Sequence, residues 1–232
     1  MSEIKVTYLD HSGFAAETAT KILVFDYYRD PAHVVDAYTK SRKDVYFFVT
    51  HSHGDHFNKH IADFASFTKG YIVNDGVPFT NGAADNVYSL ALYETLQLQD
   101  LQIRQYGSTD EGGAFYVETD GVRIFHAGDL NWWHWLGDTD ENNQAMKELF
   151  DKEMERLDGL TFDLAFFPVD ARLEGAREWG VASFLSHVHV TKCLVPMHYF
   201  GVPWEPSEAF NKNFPTVPVW IPRTGGDTTV LA

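Results

Sequence analysis

The run Val45-Tyr46-Phe47-Phe48-Val49 leads through Thr50 into His51-Ser52-His53-Gly54-Asp55-His56, so an apolar stretch empties into three histidines and an aspartate within six positions. β-Branched and aromatic residues over so short a span, closed by polar sequence, read as a buried strand with a loop at its carboxyl end. On extended backbone His51 and His53 can reach one point, and Asp55 and His56, beyond a turn allowed by Gly54, can reach a second. Imidazole nitrogen and carboxylate oxygen suit Zn²⁺ and neighbouring first-row metals, so the spacing fits one or two ions.

The same pattern recurs twice: Asp129 follows "VRIFHAG" and His198 follows "CLVPM". Three polar ligands at three strand ends meet at one sheet edge if the strands are neighbours. "IKVTYL" and "KILVFDYY" read as two strands joined by a turn at His11-Ser12-Gly13. "NKHIADFASFTKG" carries apolar residues at 61, 64, 65 and 67 and predicts a short helix ending at Gly70, before the strand "YIV". Residues 95–106 predict a hairpin, and "AFYVETDGVRIFHAGDL" a second one around Asp120-Gly121. "GDTDENNQAMKELFDKEMERLDG" predicts an amphipathic helix with apolar positions 146, 149, 150, 154 and 157, and "EWGVASFLSHV" another, set between the strands "FDLAFFPVD" and "CLVPMHYF". Strand runs followed by strand–helix units favour an α/β sandwich with sheets inside and helices outside. No boundary or linker is visible, so one domain over 1–232 is expected.

The formal charge is −15, from 33 acidic and 18 basic residues, which opposes nucleic acids and anionic membranes at long range. No apolar stretch approaches the roughly 18 residues of a membrane span, and "MSEIKVTYLD" lacks the pattern of a signal peptide, so a cytoplasmic protein with a small-molecule substrate is expected. The single cysteine, Cys193, reads as a small hydrophobe in a buried strand.

The motif His51-x-His53-x-Asp55-His56, with "HAGDL" and "PMHYF" after it, resembles the metallo-β-lactamase superfamily, especially its L-ascorbate-6-phosphate lactonase-like branch. The resemblance implies a four-layer αββα sandwich and a Zn²⁺ centre of one or two ions, with Mn²⁺, Fe or Ni²⁺ as alternatives. It makes Asp129 the bridging ligand, with His51 and His53 in the first site and Asp55, His56 and His198 in the second. The superfamily usually adds a third histidine to the first site, but here that stretch reads "RQYGSTDEGG", and no histidine lies between His60 and His126. His11, His126 and His134, or a water molecule, are the candidate replacements. The implied activity is hydrolysis of a small ester, lactone or phosphoester by a metal-activated water, with Asp55 handling a proton and His134 or His11 donating one to the leaving group. The alternatives are a metal-binding or redox module with little hydrolytic activity, and a phosphodiesterase or nuclease. The lack of a basic arm argues against a nuclease.

Around that centre His126 is expected to orient Asp129 by a hydrogen bond. Trp132, Trp133, His134 and Trp135 supply rings for a pocket wall, and Asp170 and Arg172 either bind substrate or pair with each other. His33, His60, His187 and His189 read as surface or structural residues.

Overall fold

The computed structural model describes residues 3–82 and 85–232; Met1 and Ser2, at the start of the segment read for a leader, lie outside them. Among the described residues two sheets form. The first contains β1 (Ile4–Asp10), β2 (Gly13–Glu17), β3 (Lys21–Phe25), β4 (Asp44–Val49), β5 (Thr68–Asn74) and β6 (Val87–Leu90), with the late strand β13 (Thr228–Leu231) on its edge beside β1. The second runs in spatial order from β12 (His189–Met197) through β11 (Thr161–Pro168), β10 (Val122–His126), β9 (Gly113–Thr119) and β8 (Leu101–Gly107) to β7 (Thr95–Leu98). β3, β4, β5 and β6 are parallel neighbours, as are β10, β11 and β12, so both sheets carry parallel strands whose carboxyl ends are free to bear side chains.

Alternation along the strands builds the layers, because successive side chains leave opposite faces of a sheet. Leu23, Phe25, Tyr46 and Phe48 point into the core between the sheets, whereas Ile22, Val24, Val45, Phe47 and Val49 form a second core on the outer face of the first sheet. Across the central layer Phe14 and Phe166 approach to 4.5 Å between ring centroids, and each fully buried phenylalanine contributes roughly 2–3 kcal/mol of transfer free energy. Outside the second sheet lie α1 (Asp140–Leu157) and α2 (Trp179–His187), with Phe150, Met154, Leu157 and Phe184 inward. Thr139 caps α1 by accepting from Asn142 N. A short α3 (Glu208–Asn213) follows β12. Two sheets enclosed by helical layers give the expected αββα sandwich.

Several local expectations change. The first hairpin is a three-stranded meander, because Gly13–Glu17 is a strand in its own right between β1 and β3. Its register survives a bulge between Tyr8 and Asp10. The helix expected after Asn58 is a 3₁₀ segment, Lys59–Phe64, in which Ile61 is the buried residue. A stripe that short lacks the length to stabilise α-helical turns, and the Asn58 side chain tightens its start by accepting from His60 N. In α1 Leu149 faces solvent, although the sequence stripe included it.

Candidate metal centre

Each expected ligand leaves the end of a strand, and the chain's own hydrogen bonds aim it. β3 ends at Asp26, which is fully buried at a positive φ of 43°. Its carboxylate accepts from Thr50 N at 2.8 Å and from Thr50 Oγ1 at 2.7 Å, and so ties the end of β4 to the end of β3. Because Thr50 Oγ1 spends its proton on Asp26, it accepts from His51 Nδ1 at 3.0 Å. His56 Nδ1 donates to Asp26 at 2.8 Å, and His198 Nδ1 donates to Asp170 at 3.1 Å. All three rings therefore commit Nδ1 to a protein partner and turn Nε2 toward the site, the orientation a metal ligand needs.

The three Nε2 atoms converge on Asp129. Its Oδ1 lies 3.1 Å from His56 Nε2 and 3.5 Å from His198 Nε2, and its Oδ2 lies 3.6 Å from His51 Nε2. Two groups of ligand atoms result, one from His11, Asp55, His56 and His198, the other from His51, His53 and Asp129, with the atoms of each group within 4.8 Å of one another. Asp129 touches both. His11 Nε2, His56 Nε2 and Asp129 Oδ1 are buried and make no well-formed hydrogen bond among the described residues, His56 Nε2 and Asp129 Oδ1 facing each other at 3.1 Å. Orphaned buried atoms are costly, and these have the donor chemistry that a divalent cation satisfies, so the residues fit the implied metal.

The electrostatics agree. Burial pushes His56 down, but the Asp129 and Asp26 carboxylates outweigh it and hold its pKa up at about 10, so the protein without an ion draws a positive charge to this point. Burial also pushes His51 down, to about 4, leaving it neutral. Asp129 is held well below the carboxylate range because His56 and the other histidines overcome its burial. His11 and His198 sit at positive φ, 55° and 58°, local strain of a kind that clusters at functional sites.

The expected replacements for the third histidine move elsewhere. His11 joins the second group, 3.4 Å from Asp55, so its Nε2 stands among ligand atoms and is not the free proton donor expected. His126 does not hydrogen-bond Asp129: Nε2 donates to Ser12 O at 2.9 Å, Nδ1 accepts from Gly128 N at 3.2 Å, and the ring stacks on Phe25. His134 packs on Trp179 with 4.6 Å between ring centroids and is not among the residues that bound the cavity. What stands at the missing position is acidic: Asp110 lines the cavity, and Glu111 lies 3.4 Å from His53 Nε2, away from the Nδ1 that faces His51.

The cavity beside the centre measures about 290 Å³ and is bounded by His53, Asp55, Asp110, Trp133, Trp135 and Phe200, among others. Trp133 Nε1 donates to Asp129 O at 2.9 Å, and its ring lies 5.4 Å from His198, so this tryptophan is both wall and brace. Asp170 and Arg172 do pair, through a two-pronged contact of 2.6–3.1 Å, and Asp170 also orients His198. Arg172 still reaches the cavity and lies 3.8 Å over the Phe200 ring. His33 and His60 are exposed beside Asp36 and Asp63, and His189 is exposed at the start of β12, whereas His187, at the end of α2, is half-buried and donates to Ser183 O. Asp26 was missed as a functional residue, although "KILVFD" shows the same acid at the end of an apolar strand as the other sites. Nor is the turn after His53 dependent on glycine, since Gly54 has no positive φ and open space where a Cβ would stand.

The chain has relatives among known proteins. The chain is 26% identical over 230 residues to a UPF0173 metal-dependent hydrolase of Methanosarcina mazei, covering 91% of each chain. It is also 26% identical over 239 residues to a UPF0173 metal-dependent hydrolase of Pyrococcus furiosus, covering 91% of this chain and 90% of that one. Igni18, described as a novel metallo hydrolase from Ignicoccus hospitalis, shares the fold at a TM-score of 0.64 and 17% identity over 99% of both chains. Residues 5–144, which hold both halves of the ligand loop and Asp129, match the beta-lactamase superfamily domain, and the chain belongs to that superfamily.

Proposed function

We propose that this protein is a metal-dependent hydrolase of a small ester, lactone or phosphoester. The observation that carries the reading is the convergence of three histidines, each anchored through Nδ1, and a shared carboxylate on one buried point beside a cavity. His51, His53 and Asp129 would hold one ion, and His11, Asp55, His56 and His198, with Asp129 shared, the other. Zinc suits such a donor set, with manganese, iron and nickel as the alternatives. A divalent cation there supplies Lewis acidity toward an acyl or phosphoryl oxygen and a water whose pKa falls from ~16 toward ~7.

The chain's own residues do the rest. Asp55 is held well below the ordinary carboxylate range by its hydrogen bond with His11, which suits a ligand better than a base. Asp110 has the opposite setting: burial and the facing charge of Asp129 raise its carboxyl, making it the better proton acceptor on the cavity wall. Trp133 and Trp135, stacked at 7°, exclude water from one side. A cavity of this size takes a small molecule, and the lactone end of the range follows the resemblance to the ascorbate-phosphate lactonase-like branch. One domain over 1–232, in the cytoplasm, completes the reading, and no helix among the described residues is long and apolar enough to cross a membrane.

The test is turnover on a panel of esters, lactones and phosphodiesters with metal-loaded protein, chelated protein and Asp129→Ala. Turnover of one class, lost on chelation and in Asp129→Ala and restored by metal only in the wild type, is the expected result. No metal-dependent turnover of any member contradicts the proposal. A second reading, a redox module, draws on Asp110 and Glu111 standing where a histidine is usual, since carboxylate-rich sets suit non-haem iron. Tightly held iron together with no hydrolysis favours it.

A further inference from the structure

The cleft at the metal centre has a second lobe. A cavity of about 530 Å³ opens on the far side of Asp55 and Phe200, two residues it shares with the cavity that Trp133 and Trp135 line. His11, a member of the ligand group, forms part of its wall, so the lobe reaches the same centre from the opposite direction.

The two lobes differ in charge. The first holds Arg172, whose charge is met by Asp170, and the carboxylate of Asp110. The second holds Arg29, Arg223 and Asp10 besides the ligand Asp55. Arg29 Nη2 pairs with Asp10 at 2.8 Å and its guanidinium lies over Tyr28, 4.6 Å from the ring centroid. The backbone N–H of Arg223 donates to Asp227, while its guanidinium meets no ion-pair or hydrogen-bond partner among the described residues. Leaving the ligands aside, the second lobe keeps one uncompensated positive charge and the first one uncompensated negative charge. Tyr28 and Thr224 add hydroxyl groups to the cationic wall. On a chain of net charge −15 an unpaired guanidinium at the mouth of a metal centre offers local attraction where the molecule as a whole repels anions.

We propose that the second lobe is an oxyanion subsite in which Arg223, with Arg29 beside it, holds a phosphate or carboxylate group of the substrate. The guanidinium fork matches the oxygens of either group. The scissile group then lies at the boundary formed by Asp55 and Phe200, and the uncharged remainder lies against Trp133 and Trp135. The substrate class narrows to a small, amphipathic ester or lactone that carries an anionic group on one side of the bond cleaved. This assignment rests on the hydrolase reading for its use of the scissile group, but not for the anion site itself.

The test is calorimetric titration of metal-loaded protein with sodium phosphate and, separately, sodium acetate. Wild type, Arg223→Ala, Arg223→Lys and, as a control in a different cavity, Arg104→Ala are compared. Millimolar binding of at least one anion is expected, weakened about tenfold or more in Arg223→Ala, weakened less in Arg223→Lys, which keeps the charge without the fork, and unchanged in Arg104→Ala. Dependence on Arg223 for phosphate alone identifies a phosphorylated substrate, and for acetate alone a carboxylated one. Absence of binding by both anions, or equal binding by wild type and Arg223→Ala, overturns the subsite. Because this readout needs no turnover, a failed substrate panel leaves it standing, and a failed titration leaves any turnover standing.

Discussion

At the scale of single residues the centre depends on a buried carboxylate that touches no expected ligand atom facing the ion. Asp26 accepts two hydrogen bonds from Thr50 and one from His56, all inside the protein. Asp26→Ala leaves those donors unpaired, so a loss of about 3 kcal/mol or more in urea unfolding is expected. Competition with a chelating dye should show metal affinity lowered about 10–100-fold, since His56 loses the partner that fixes its tautomer. Unchanged affinity would show that the ring is oriented by something else. Protonation offers a second check. His56 has its pKa raised from 6.5 to about 10, so its stabilising contribution to the metal-free protein is complete below pH 6.5 and is lost as pH rises through about 10. Metal must displace that proton. Titration of stripped protein at pH 8, in buffers of different ionisation enthalpy, should therefore show proton release on binding, and a proton count of zero contradicts the assignment. The candidate ligands are legible because each stands at or just past the end of an apolar run. Asp26 shows the same signature, but its partner Thr50 lies 24 residues on, and only folding brings the two together.

At the scale of elements, the loops are held by close backbone approach. A Cβ on Gly112, at φ +64°, would stand 2.0 Å from Thr50 O, and one on Gly128, at φ +54°, would stand 2.8 Å from Gly113 O. These glycines let the β8–β9 turn and the loop after β10 close on the ligand strand, and Gly113 N donates to Thr50 O. Gly112→Ala should destabilise by well over about 1 kcal/mol and weaken metal binding together, whereas Gly54→Ala should change neither. Thermal melts with and without metal compare the two; equal behaviour would mean that the ligand loop tolerates displacement. Strands were readable where an apolar run or an alternation was long, as in β4 for the first and β9 and β10 for the second. The 3₁₀ segment over Lys59–Phe64 and the strand β2 were not, because a short helical stripe and a glycine-led apolar run each fit more than one local structure until neighbours cover them.

At the scale of the whole molecule, parallel strands in both sheets aim their carboxyl ends at one edge, which explains how ligands 187 residues apart, His11 and His198, come to lie 4.2 Å apart between ring centroids. The net charge of −15 predicts that the protein does not retain RNA or DNA in a mobility-shift assay at physiological salt, and tight retention would contradict the small-molecule reading. The centre is also asymmetric. Among the described residues the second group draws on His11, Asp55, His56 and His198 with Asp129 shared, whereas the first has His51, His53 and that same carboxylate. Fewer protein ligands mean weaker binding. Titration of metal-stripped protein with zinc, followed by calorimetry and by anomalous scattering from crystals, addresses the claim most directly. The account predicts one firmly held ion beside His198 and a second, weaker one beside His51, both lost in Asp129→Ala; no bound ion, or two of equal affinity, contradicts it.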